Sequence, residues 1–97
     1  MTKEEILSQL RQSKSQMEQQ FGVIRIGLFG SYARGEARED SDLDIAIEMR
    51  PGQKTLRNFF GCKRALERQF GMTVDLGIES TLKPVVRERV QGEIVYV

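Results

Sequence analysis

Apolar residues recur along this chain with two distinct periods. Ile6, Leu7, Leu10, Met17 and Phe21 fall roughly on one face of a helix that runs to about Gln20, and the polar stretch Arg11 to Gln16 predicts burial only at its two ends. Thr2-Lys3-Glu4-Glu5 has the form of a capping box that would start it. Val23 to Phe29 is short, β-branched and apolar between two glycines, which argues for a strand; Ser31 to Arg34 reads as a short helix ended by Gly35. After the polar loop Glu36 to Ser41, Leu43 to Met49 reads as a second strand, and Pro51-Gly52 breaks the chain. Helical spacing returns from Thr55 to Phe70, with Leu56, Phe59, Phe60, Leu66 and Phe70 expected toward the core and Gly71 as the stop. Thr73 to Ile78 reads as a third strand, Thr81 to Val90 as a short helix with Pro84 in its first turn, and Glu93 to Val97 as an edge strand after a turn at Gln91-Gly92.

These elements describe an α/β fold: a small mixed sheet with helices mostly on one face and the other face open to a ligand. Only 13 residues separate the first two strands, so they can pair antiparallel. Alternation along the strands then sorts the charged positions. Leu43, Ile45 and Ile47 share one face while Asp42 and Asp44 share the other, ~7 Å apart at a rise of about 3.3 Å per residue. Val74, Leu76 and Ile78 likewise leave Asp75 on the opposite side, so three carboxylates converge.

Composition narrows what such a site can serve. The 97 residues make one domain, residues 1–97, with no room for the additional modules a template-directed polymerase needs. A formal net charge of +1 implies no bulk attraction to nucleic acid, and no direct nucleic-acid binding is expected. Charge is uneven, with six acids between residues 30 and 48 against Arg34 and Arg38, and six bases between residues 50 and 70 against Glu67. Arg57, Arg64 and Arg68 form a basic stripe that is either a solvated helix face or a contact for phosphates or an acidic partner. A single cysteine, Cys62, lies inside a helix in a chain without histidine; it reads as a packing residue and suits a reducing cytoplasm. With no signal-peptide core and no membrane-length apolar run, a soluble cytoplasmic protein without membrane contact is expected.

Close unpaired carboxylates repel, and the usual reason to keep them together is one or two divalent cations. Gly30 lets a phosphate approach the backbone, Ser31 offers a hydroxyl and an N–H, and Arg34 offers a planar fork of donors. A calcium loop starting at Asp40 is excluded, because Ile45 stands where the sharp turn needs glycine and Pro51 where the loop needs glutamate.

The order Gly30-Ser31, ten residues, Asp42-Leu43-Asp44, with Ala33-Arg34-Gly35 and Ser41 between, resembles the signature of the DNA polymerase beta-like nucleotidyltransferase superfamily. More closely it resembles the minimal nucleotidyltransferase (MNT) antitoxins of prokaryotes, stand-alone domains of about this length. Weaker similarity extends to Val74-Asp75-Leu76 and to Gly92-Glu93-Ile94-Val95-Tyr96. The resemblance implies the palm fold of that superfamily, with ATP as co-substrate and two magnesium ions held by Asp42, Asp44 and Asp75. Gly30, Ser31 and Arg34 would take the β and γ phosphates, and Asp75 would also accept the proton of the attacking hydroxyl. It further implies a partner, a HEPN-domain ribonuclease toxin, that receives AMP on a tyrosine; if that partner closes over the open site, charge complementarity makes the basic stripe or the acidic loop Glu36 to Ser41 the expected docking surface. Two other readings stand beside it. One is a non-catalytic antitoxin that occludes its toxin; the other is a small-molecule nucleotidyltransferase, which usually needs an added substrate domain.

Overall fold

The computed structural model describes residues 1–97. Helix α1 (Lys3–Phe21) begins at the expected capping box, in which Thr2 Oγ1 accepts from the Glu5 N–H at 3.2 Å and Glu5 Oε1 accepts from the Thr2 N–H at 2.8 Å. Then follow β1 (Val23–Phe29), α2 (Gly30–Arg34), β2 (Leu43–Met49), α3 (Leu56–Phe70) and β3 (Val74–Ile78). A 3-10 turn at Glu79–Thr81 leads into α4 (Pro84–Glu93) and the short β4 (Val95–Tyr96).

The four strands form one mixed sheet in the order β3-β2-β1-β4. β1 pairs antiparallel with β2 and with β4, while β2 and β3 are parallel, with α3 as the crossover that parallel neighbours require. Alternation along β2 buries Leu43, Ile45 and Ile47 against α1 and α3, where Ile6, Leu10, Ile26, Leu28, Leu66 and Val74 complete a continuous apolar core. Cys62 is wholly buried in that core, and burial pushes its thiol up to about 12, so it packs and stays protonated.

Two residues expected in the core are not there. Leu56 is 75% exposed and Phe60 46% exposed. The buried stripe of α3 is Cys62, Leu66 and Phe70, with Phe59 packed against it. At about 100° per residue, Phe60 is carried off that stripe, and it stacks edge-on against Phe59 at 5.3 Å between ring centroids. Leu56 sits in the first turn, beside a shallow groove along β3 that Leu76 and Leu82 also line.

The last helix also departs from the expected boundaries. Residues 91–93 continue α4 instead of turning, the Ile94 N–H donates to Val90 O at 2.9 Å, and β4 shrinks to two residues. α4 and Ile94 lie on the face opposite α1 and α3, while β4 joins the sheet beside β1 and Val95 and Val97 pack on the core side. A Cβ added at Gly27 would meet the Ile94 side chain at 2.5 Å, and Val90 and Ala46 are each 1% exposed yet lie outside the main core. The acidic face is therefore covered in its middle. At one end lies a paired network in which Glu79 accepts from Arg25 Nη2 at 2.6 Å and from the Tyr96 hydroxyl at 2.7 Å. The other end, at Asp44 and Asp75, carries no such cover.

Candidate active site

β1 delivers the chain to the site at Phe29, the residue that faces Asp44 across the β1–β2 ladder. Gly30 follows with φ +76°, a left-handed conformation that side chains disfavour. A Cβ there would stand 2.0 Å from Asp44 Oδ2. Glycine is thus required twice, by the backbone angle and by the carboxylate packed against it. The parallel β2–β3 ladder sets Asp44 directly beside Asp75 on the same face, as the alternation predicted. Asp42 stands just before β2 and is exposed, at the end of a loop braced by the Arg38 N–H donating to Ser41 Oγ at 2.8 Å.

The charge of the cluster is not neutralised within the protein. None of the three carboxylates is ion-paired with a lysine or arginine. Burial, then the charges of Asp75 and Asp42, push the Asp44 carboxyl up to about 6, against the opposing pull of Arg34 and the Ser31 N–H. The donors are hard oxygens, the type magnesium takes, though they do not close into a ready-made three-carboxylate cage. That openness suits magnesium, which binds through one or two carboxylates together with substrate phosphates and retained water. The site therefore fits that ion.

Ser31 is half-buried beside this cluster, and Arg34 is exposed on the last turn of α2. The donor fork of Arg34 is partly engaged within the protein. Its Nη1 donates to Glu93 Oε2 at 2.9 Å and its Nε to Glu36 Oε2 at 3.3 Å, pairings that raise its already high pKa. The Gly30 N–H is also occupied, donating to Glu93 Oε1 at 3.0 Å. Glu93 was legible only as part of the C-terminal resemblance; its contacts join residues 63 and 59 positions apart, which no local pattern encodes. The stripe Arg57, Arg64 and Arg68 is exposed on α3, which packs on the core side of the sheet, so it does not face the carboxylates.

Residues 8–97 match the nucleotidyltransferase domain family. A protein of Thermococcus cleftensis named protein adenylyltransferase MntA is 43% identical over 97 residues, covering 100% of this chain and 97% of that protein. A solved structure described as a candidate minimal nucleotidyltransferase superposes with a TM-score of 0.82 at 39% identity, over 98% of this chain and 95% of that one. A toxin-antitoxin structure with AMP-PNP shares the fold at a TM-score of 0.72 and 21% identity, over 88% of this chain and 69% of that one. The chain belongs to the nucleotidyltransferase domain family, among its minimal, MntA-like members.

Proposed function

We propose that this chain, acting as one domain over residues 1–97, is an antitoxin that moves AMP from ATP to a tyrosine of a HEPN-type ribonuclease toxin and so inactivates it. The observation that carries this reading is the Asp44–Asp75 pair set beside the Gly30 turn at the uncovered end of the sheet face. The end-to-end likeness to a protein adenylyltransferase supports a protein acceptor, and the toxin-antitoxin structure with AMP-PNP supports both the partner class and the nucleotide.

Ser31 and the free Nη2 of Arg34 hold the β and γ phosphates, which places the α phosphorus toward Asp44 and Asp75. Asp42, Asp44 and Asp75 would hold two magnesium ions, which when bound offset triphosphate charge and make the acceptor hydroxyl more acidic. The tyrosine oxygen attacks the α phosphorus, the bond from that phosphorus to the bridging oxygen breaks, and pyrophosphate leaves. Asp75, exposed at the rim of the site in the isolated protein, takes the tyrosine proton and releases it to solvent once the partner has left. Water is excluded by the partner, because the face has no cover of its own at this end. No helix is long and apolar enough to cross a membrane, and the reading places the enzyme in the cytoplasm with its nucleotide and its target.

The test is to incubate the purified partner with this protein, ATP and magnesium, then separate them and measure mass and ribonuclease activity. Addition of one or more AMP groups at tyrosine, with activity still lost after separation, is the expected result. An unchanged mass together with full recovery of activity would establish occlusion instead.

A further inference from the structure

Glu93 closes α4 with its carboxylate between two parts of the phosphate turn. Oε1 takes the Gly30 N–H at 3.0 Å and Oε2 takes Arg34 Nη1 at 2.9 Å, so one side chain ties the first residue of α2 to its last. Its side chain is 20% exposed, and that of Arg34 44%. With Nε on Glu36 and Nη1 on Glu93, the guanidinium is held along two of its edges, and Nη2 alone has no protein partner. A negative charge near a triphosphate is unfavourable unless it does something else there. Here it fixes a flexible arginine before the ligand arrives, so that side chain's ordering entropy is lost on folding and not on binding.

Glu93 itself is set by contacts that do not depend on its carboxylate. Ile94 fills the space over Gly27, the Tyr96 hydroxyl donates to Glu79 at 2.7 Å, and the Val97 N–H donates to Ile26 O at 3.0 Å. The C-terminal segment is thus a brace across the sheet, from Glu93 on the phosphate turn to Val97 on β1.

We propose that Glu93 is a positioning residue for the nucleotide: through Arg34 and Gly30 it holds the turn in the shape that receives the β and γ phosphates of ATP. The inference rests on the nucleotidyl-transfer reading above. Its test compares ATP and AMP affinity by titration calorimetry, and KM against kcat for AMP transfer, in the wild type, Glu93→Ala, Glu93→Gln, Arg34→Ala and the Arg34→Ala/Glu93→Ala double variant. Glu93→Ala should weaken ATP binding roughly tenfold, the scale of one charge-assisted hydrogen bond, and raise KM more than it lowers kcat. AMP, which lacks the β and γ phosphates, should bind all of them alike. Glu93→Gln keeps an acceptor for the Gly30 N–H and should fall between. In the Arg34→Ala background the further loss of Glu93 should weaken ATP binding by clearly less than the roughly tenfold seen in the wild-type background, because only its hold on the Gly30 N–H is left to lose. Independent losses that multiply in the double variant, or unchanged ATP affinity in Glu93→Ala, overturn the inference while leaving AMP transfer by the wild type intact. A wild type that neither binds ATP nor transfers AMP overturns the functional reading, and this inference with it.

Discussion

Replacing Asp44 with Asn should stabilise the isolated protein while abolishing its activity. Asp44 is pushed from an ordinary 3.8 up to about 6 by burial and by the charges of Asp75 and Asp42. At about 1.4 kcal/mol per tenfold change in the protonation equilibrium, this corresponds to at most about 3 kcal/mol, and screening by the solvent that reaches this half-buried group reduces it to ~1 to 2 kcal/mol. A carboxyl whose pKa is higher folded than unfolded favours the fold below 3.8, and that contribution is lost as pH rises through about 6. At pH 7.5 the wild type therefore carries the full penalty of the charged group, which asparagine removes while keeping an oxygen for the Ser31 N–H. Urea denaturation in EDTA should show Asp44→Asn more stable than wild type by ~1 to 2 kcal/mol at pH 7.5, the gap closing toward pH 4. Adding magnesium and ATP should stabilise the wild type more than the variant, and only the wild type should transfer AMP. Equal or lower stability of Asp44→Asn at pH 7.5, or a gap unaffected by pH, would refute the claim that uncompensated charge strains this site.

Other consequences follow from the same geometry. Gly30→Ala, forced to a φ of +76° with its Cβ against Asp44 Oδ2, should lose ~2 to 4 kcal/mol of unfolding free energy; a loss under ~0.5 kcal/mol by urea denaturation would show that the turn relaxes freely. Ser31→Ala and Arg34→Ala should each lower kcat/KM on the order of 10²-fold with thermal unfolding nearly unchanged, and unfolding of either variant would make that residue structural. Burial raises the Glu48 carboxyl, but Lys54, the Met49 N–H and Ser80 outweigh it and hold it down to about 2. The stability it supplies is present above pH 4.5 and lost as pH falls toward 2, so Glu48→Gln should flatten that part of the acid-unfolding profile, which urea midpoints across the range would show.

Much of the fold was legible because it is encoded locally. Strand alternation placed Leu43, Ile45 and Ile47 in the core and, with the parallel pairing of β2 and β3, brought Asp75 beside Asp44. Gly30 could be read as a place where a group comes close to the backbone, for which a phosphate was the expected neighbour; that Asp44 packs there depends on the pairing of β1 with β2. What stayed illegible depends on where distant elements land. A 3.6-residue period cannot tell Phe59 from Phe60 when both are apolar and adjacent; the position of the sheet beneath α3 decides that one packs and the other faces solvent. The continuation of α4 through Gly92 runs against that residue's helix propensity, by about 1 kcal/mol, and is offset by tertiary contacts at Ile94 and Glu93. Those contacts also hold Arg34 through Glu93, a pairing across 59 positions that no local pattern encodes.

The two ends of the same sheet face treat carboxylates in opposite ways, and the contrast bears on function. Glu79 is 5% exposed and fully matched: Arg25 pairs with it, Tyr96 donates to it, and the Arg25 guanidinium lies 5.0 Å from the Tyr96 ring centroid. Asp44, Asp75 and Asp42 have no cation of their own. Arg34, the nearest base on α2, is drawn to Glu93 and Glu36. This fold can neutralise a carboxylate on that face, since it does so at Glu79. An arginine paired with Asp44 would relieve the repulsion, but it would also occupy the position of any incoming cation and fix the charge of the site. Leaving the cluster unmatched while holding Arg34 alongside keeps the negative and positive halves of the site apart. A ligand that carries its own metal ions and its own phosphates satisfies both halves at once.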